Sequence, residues 1–181
     1  MDGRVKDMRK LFDLDNKDYD GCTRIFQRDS ARSIIIHNGL VAMVHSRKYD
    51  YYKFPGGGLE AGEDPKEAMI RETREEAGLI VREDTVKEYG YVHRIQRSNG
   101  DPAECFVQDN YYYLCEALER VTDQDLDDYE KREGYQLEFV EPAVAIRKNR
   151  RVKASPFDRL MFEREARVLE LLMAEGWFKS R

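Results

Sequence analysis

The sequence predicts an α+β chain, and three observations carry that expectation. The dipeptides Asn38-Gly39 and Asn99-Gly100 each separate stretches rich in β-branched or aromatic residues, which is the pattern of a tight hairpin. A central segment, residues 64–78, carries both start and stop signals of a helix. A terminal segment, residues 155–175, spaces its apolar residues with the helical period.

The elements follow in order. Residues 1–20 are polar and charged and are expected to form an N-terminal arm, with residues 21–181 as a single domain. Residues 34–37 and 40–45 are the strands of the first hairpin, and Tyr51-Tyr52-Lys53-Phe54 is a further short strand that Pro55 and Gly56-Gly57-Gly58 end in a loop. In the central helix Asp64 is the expected N-cap, Pro65 the first helical residue, Glu67 the partner in a D-x-x-E capping pattern and Gly78 the residue beyond the end. Residues 86–97 and 104–116 are expected as long strands flanking the second hairpin turn. Residues 119–134 read as an irregular acidic loop, and Leu137–Val140 as a short strand. Ser155 and Pro156 offer a cap for the terminal helix, whose apolar stripe is Phe157, Leu160, Met161, Val168, Leu171 and Leu172; Gly176 offers its stop.

Composition excludes several classes. Hydrophobic residues make up 41% and charged residues 37%, a globular balance that is neither disordered nor membrane-spanning. A net charge of −5 gives no electrostatic basis for binding long nucleic acid. Cys22, Cys105 and Cys115 form no CxxC pair and no zinc spacing, so reduced thiols and a cytoplasmic location are expected. The first residues contain no apolar core of a signal peptide.

The stretch GGGLEAGEDPKEAMIRETREEAGLI carries the chemistry. With about 100° between successive residues, Glu72, Glu75 and Glu76 project from one face of the helix. Ile70, Thr73 and Ala77 lie on the other side. Three crowded carboxylates raise one another's pKa, a cost that a hard divalent cation relieves. Mg²⁺ suits such a set because it prefers octahedral oxygen ligands and bridges substrate phosphates. Taken alone, E-x-x-E-E describes a solvated helix face equally well, and Arg71 an i,i+4 surface pair with Glu75.

Read from Gly57, the stretch resembles the Nudix box, G-x5-E-x7-R-E-U-x-E-E-x-G-U with U a bulky apolar residue. Gly57, Glu63, Arg71, Glu72, Glu75, Glu76, Gly78 and Leu79 match without a gap, and Thr73 departs at the first U position. Phe54-Pro55-Gly56 resembles the usual entry to the box. The resemblance implies the Nudix fold, a mixed curved sheet sandwiched between helices. It further implies hydrolysis of the pyrophosphate of a nucleoside diphosphate derivative by water attack at phosphorus, with Mg²⁺ as cofactor and Mn²⁺ as a substitute. Glu72, Glu75, Glu76 and the carbonyl of Gly56 would hold the metal, and Arg71 would orient the carboxylates. The implied partner is a small nucleotide, with no long nucleic acid and no membrane; a homodimer is compatible with it.

Other residues are open to two readings. A distant carboxylate is expected as base or extra ligand, with Glu133 the first candidate and Glu130 the second, against a solvated acidic loop. Arg47 is a candidate for a substrate phosphate, or a surface side chain. Tyr52, with Tyr49 and Tyr51, could stack a base or pack in the core. Alternation in Tyr111-Tyr112-Tyr113 sends Tyr112 to the opposite face from its neighbours. The alternative function is a catalytically weak Nudix domain that senses nucleotides, which predicts loss of a box carboxylate; none is lost. An isoprenoid diphosphate isomerase would need a cysteine motif that the sequence lacks. No subfamily marker for ADP-ribose, dinucleoside polyphosphate, NADH or coenzyme A substrates is found, which leaves a nucleoside triphosphate as default. The helix positions also predict that Glu76→Gln lowers kcat with the fold intact, whereas Glu67→Gln does the reverse.

Overall fold

A computed structural model describes residues 7–153 and 159–179 of the chain. In chain order the described elements are β1 (Lys10–Asp15), β2 (Arg24–Gln27), β3 (Ser30–Ile34), β4 (Ile36–His37), β5 (Leu40–Ser46), β6 (Tyr51–Lys53), β7 (Gly56–Gly58), α1 (Pro65–Ala77), β8 (Leu79–Val81), β9 (Lys87–Arg97), β10 (Glu104–Leu114), β11 (Ala117–Val121), α2 (Asp128–Glu133), β12 (Tyr135–Val140), α3 (Pro142–Asn149) and α4 (Arg159–Ala174). The expected α+β class holds. The main sheet runs β1-β9-β10-β3-β7, with β2 also on β10. It is mixed: β9 and β10 are antiparallel, whereas β1 on β9 and β3 on β10 are parallel. A second sheet runs β12-β5-β4 with β6 on β5, and β8 pairs with β11.

Local chemistry accounts for the elements. Asn38 and Gly39 both have positive φ, 51° and 76°, as a two-residue turn between twisted strands requires. The second hairpin joins β9 and β10, which pair from Arg97↔Cys105 onward. The Asp64 side chain accepts from the Lys66 N–H at the start of α1, while Glu67 is exposed. Helix α1 ends at Gly78, whose φ is 66° and where an added Cβ would lie 2.2 Å from the Thr122 carbonyl oxygen, so only glycine fits.

Alternation divides the core into two layers. Ala42, Val44, Tyr51, Tyr111 and Tyr113 pack with Ala68, Met69 and Ala77 of α1. Val41, Met43, Tyr52, Phe54 and Tyr112 pack with Val168, Leu169 and Leu172 of α4. The sheets therefore lie between the two helices, and the opposite orientation expected for Tyr112 is observed.

Gly56-Gly57-Gly58, expected in a loop, form β7 against β3, and two further expectations need correction. The stretch expected as an arm supplies β1, which joins the main sheet through β9. Residues 119–134 are not an irregular loop throughout: they contain the end of β11 and the whole of α2, which has a capping box between Asp127 and Glu130. Thr122 and Asp125 donate backbone N–H bonds to the carbonyls of Gly78 and Glu75, so this segment satisfies the exposed C-terminal end of α1. Helix α3 has no counterpart among the expected elements. In the terminal helix Ser155, Pro156 and Phe157 lie outside the described residues. Gly176, with φ 81°, stands just past the end of α4 as expected.

Candidate active site

The box carboxylates line one cleft because α1 and β7 meet along its wall. Glu72, Glu75, Glu76, Asp125 and Glu130 border it together with Arg71 and Gly58. Arg71 is the organising cation. It donates through Nε and Nη2 to the two oxygens of Glu63, both at 2.8 Å, and through Nη1 to Glu72 at 2.7 Å and Glu75 at 3.1 Å. Its Nη2 also lies 3.4 Å from the carbonyl of Gly58. A planar fork can serve several carboxylates at once, which an i,i+4 surface pair does not require. Hydrogen bonding from Arg71 holds the Glu63 carboxyl below its ordinary range. Partial burial pushes that of Glu75 up, against the attraction of Arg71.

Glu76 differs from its neighbours. It is 1% exposed. Lys53 donates to Oε1 at 2.5 Å and the Gly56 N–H donates to Oε2 at 3.0 Å. Burial pushes its carboxyl up to about 7, with Lys53 pulling the other way. Burial opposes the charge of Lys53 most strongly, and Glu76 and Tyr135 together outweigh it and raise its pKa. Lys53 reaches the site because alternation along β6 sends it to the face away from Tyr52.

Both distant carboxylates border a pocket shared with Glu72 and Glu76. Glu133, the first candidate, accepts from Ser46 Oγ at 3.0 Å and from Tyr51 OH at 2.8 Å, which ties it to β5 and β6. Glu130 is buried, lies in the acidic cleft and repels Glu76 strongly enough to help raise its pKa. The two glutamates stand three positions apart on α2 and so project from one face of that short helix, which lines the shared pocket.

Two expected residues are not brought to the cleft. The Tyr52 hydroxyl donates to Glu138 at 2.7 Å, and its ring stacks on His45 with centroids 4.5 Å apart, so it is a packing aromatic of the α4 layer. Arg47 is exposed at the end of β5 and packs beside Gly134. Gly56 is in the site, but its N–H meets Glu76 while its carbonyl accepts from Arg32 Nη1 at 3.2 Å. The cations that do line the adjoining cleft are Arg28, Arg32, Lys53, Arg94 and Arg164. A trace of one of them was present in sequence. The apolar stripe of α4 runs from Met161 to Val168 and skips the intervening turn, where Arg164 and Glu165 stand in phase and are buried.

The donor set fits a hard divalent cation, because every ligating group at the cleft is a carboxylate or carbonyl oxygen. Gly57 supports the fit: a Cβ there would lie 2.4 Å from Glu72 Oε2, so the missing side chain leaves room at that carboxylate. Among the described residues, however, no three His, Cys, Asp or Glu side chains converge on one point. Arg71 and Lys53 take up the inward oxygens, so the carboxylates would have to turn from these cations toward a metal.

Comparison with known proteins accords with this geometry. The model of the NUDIX domain family matches residues 27–161. The chain belongs to the Nudix family. Members of this family generally use divalent metal ions. An RNA pyrophosphohydrolase from Acinetobacter baylyi is 32% identical over 84 residues, covering 42% of this chain and 50% of that relative. The Nudix chain therefore spans about half the length of that curated relative. A NUDIX hydrolase structure from Nitrosomonas europaea aligns with a TM-score of 0.59 at 17% identity, covering 83% of this chain and 90% of that one. A MutT structure from work on Aliivibrio salmonicida and Vibrio cholerae gives 0.51 at 19% identity, covering 83% and 99%. At such identities the structures show the shared fold, the mixed sheet between helices. No helix among the described residues is long and apolar enough to cross a membrane.

Proposed function

We propose that this Nudix chain hydrolyses a phosphoanhydride of a small nucleotide derivative, with Mg²⁺ as its divalent cation. The observation that supports this best is the acidic cleft itself, which Glu72, Glu75 and Glu76 of the box border together with Gly58 of the glycine-rich strand β7. Glu72, Glu75 and Glu76 would hold the cation, which supplies Lewis-acid neutralisation of phosphate charge when bound. The chain's own residues set up the rest. Arg71 fixes Glu72 and Glu75 relative to Glu63. Lys53 and the Gly56 N–H fix Glu76. Glu130, anchored through the Asp127 N–H at 2.8 Å, faces the cleft as the candidate to take a proton from the attacking water. The bare backbone of Gly57 and Gly58 lets the anhydride lie close to the main chain, with Arg28 beside Gly58. The default substrate is a nucleoside triphosphate, and the name of the Acinetobacter relative adds the pyrophosphate of RNA to the panel.

The test is a panel of nucleoside diphosphate derivatives and triphosphates with Mg²⁺, assayed for phosphate, pyrophosphate and monophosphate release. Hydrolysis that stops in excess chelator and returns with Mg²⁺ is the expected result. Undiminished hydrolysis of metal-free substrate in excess chelator would overturn the reading.

A further inference from the structure

A second compartment adjoins the acidic one, and the two share Arg28 and Gly58. Its lining has the opposite character. Arg28, Arg32, Lys53, Arg94 and Arg164 border it, and no Asp or Glu does among the described residues. Arg32, Lys53, Arg94 and Arg164 are all at least nine-tenths buried. Burying cations is costly unless anions compensate them. Two internal anions do part of this. Glu76 pairs with Lys53. Glu165, 0% exposed and held ionised by Arg164 and Arg32, accepts from Arg164 Nε at 2.8 Å and lies 3.9 Å from Arg32 Nε. Even with Arg94 set aside, the three buried cations Arg32, Lys53 and Arg164 outnumber these two anions. Two donors of this group, Arg32 Nε and Arg164 Nη2, are buried without a hydrogen-bond partner among the described residues. A neutral ribose and base would leave this charge uncompensated.

We propose that the basic compartment binds phosphate monoesters carried by the substrate beyond the anhydride, so that the preferred substrate class is phosphorylated on both sides of the site. The inference rests on the anhydride-hydrolase reading for which bond is cut, but the anion site itself does not need it. The anhydride would lie along Gly57 and Gly58, at the junction of the compartments, and the additional phosphates would meet Arg28, Arg94 and Arg164. Arg94 is already oriented for this: its Nε and Nη2 donate to Gln96 Oε1, and its guanidinium lies 5.4 Å from the ring centre of Phe106. Phosphate is the matching chemistry because a guanidinium fork pairs with two phosphate oxygens at once.

Two measurements on the full chain test this. The first is calorimetric binding of myo-inositol hexakisphosphate, a ring bearing only phosphate monoesters, in excess chelator. Wild type should bind it. Arg28→Gln and Arg94→Gln should each weaken binding about tenfold, the loss of one charge-assisted contact. Arg150→Gln, a surface arginine paired with Glu163 and Glu170, should not. Arg28 is exposed, so its replacement leaves the core intact. Absent binding, or equal loss in all three variants, overturns the site. The second measurement compares kcat/KM with Mg²⁺ for ATP, adenosine 3′-phosphate 5′-triphosphate, an ADP-linked neutral sugar and a polyol pyrophosphate carrying further phosphates. One of the two multiply phosphorylated substrates should exceed ATP about tenfold or more, and which one does identifies the source of the phosphates. If ATP or the neutral sugar derivative is best, the substrate class is wrong while the hydrolase reading stands. If nothing is hydrolysed but the hexakisphosphate binds with the expected arginine dependence, the hydrolase reading fails and the anion site stands.

Discussion

Replacing Glu76 tests the site at its most constrained point. On sequence alone Glu76 belongs to an exposed metal face, and Glu76→Gln should spare the fold. The structure changes that expectation. The side chains of Lys53 and Glu76 are 8% and 2% exposed and 2.5 Å apart. Glutamine can accept from either Lys53 or the Gly56 N–H, but its amide NH₂ then faces the other donor, and the charge of Lys53 is left buried and unpaired. Removing one partner of a buried pair costs about 3–5 kcal/mol. For a domain of this size each kcal/mol moves Tm by about 2–4 °C, so Glu76→Gln should melt roughly 6–20 °C below wild type. The assay is thermal unfolding in excess chelator at pH 8, above the carboxyl's pKa of about 7, beside kcat with Mg²⁺. The double variant Lys53→Met/Glu76→Gln removes the stranded charge and leaves the new amide oxygen to accept from the Gly56 N–H. It should regain most of the lost Tm while kcat stays at least tenfold below wild type, a barrier increase of about 1.4 kcal/mol or more. A Glu76→Gln variant that melts within about 2 °C of wild type would refute the buried-pair argument. A double variant with restored stability and restored rate would remove Glu76 from the reaction.

Glu130→Gln should lower kcat at least tenfold with Mg²⁺, because Glu130 faces the acidic cleft, whereas Glu133→Gln should chiefly lower Tm, because Glu133 accepts from Ser46 and Tyr51; the reverse pattern in steady-state rates would restore Glu133 as the functional carboxylate. Gly57→Ala should displace the Glu72 carboxylate, which an added methyl would approach to 2.4 Å, so Mg²⁺ titration of activity should require a higher metal concentration; an unchanged titration curve would show that the gap at Gly57 is not needed. Glu165 has a folded pKa below its ordinary 4.5, chiefly because Arg164 and Arg32 overcome the effect of burial, so its stabilisation is present above pH 4.5 and is lost as the pH falls below that value. Glu165→Gln should therefore melt well below wild type at pH 7, with the gap narrowing on acidification below pH 4.5; a gap that stays constant down to pH 3 would contradict the ionised pair.

Much of the fold and part of the site were legible in the sequence, wherever the cause was local. Asn38-Gly39 fixed one hairpin because positive φ and strand twist are properties of a few adjacent residues, and Asn99-Gly100 marked the longer loop between β9 and β10, where neither residue has positive φ. Asp64, Pro65 and Gly78 fixed the ends of α1 for the same reason. The spacing of Glu63, Arg71, Glu72, Glu75 and Glu76 was enough to group the box, because one helix and the loop before it carry all five. Alternation alone separated Tyr112 from Tyr111 and Tyr113. What the tertiary structure decided was which distant residues join them. Glu130 and Glu133 both border the pocket of Glu72 and Glu76 because α2 lays one face along it, and Glu133 is also tied to β5 and β6. Tyr52 is turned into the α4 layer and Lys53 into the cleft, and period-two spacing cannot say which face of β6 looks which way until β5 and α4 are placed. The basic compartment gathers Arg28 and Arg32 from either side of the β2–β3 junction, Arg94 from β9 and Arg164 from α4. No sequence spacing links those positions, and a single charged residue in a strand or helix looks like surface until the chain has folded around it. The physical reason is one of range: backbone turns and helix faces are set by neighbours in sequence, whereas charge compensation and burial are set by neighbours in space.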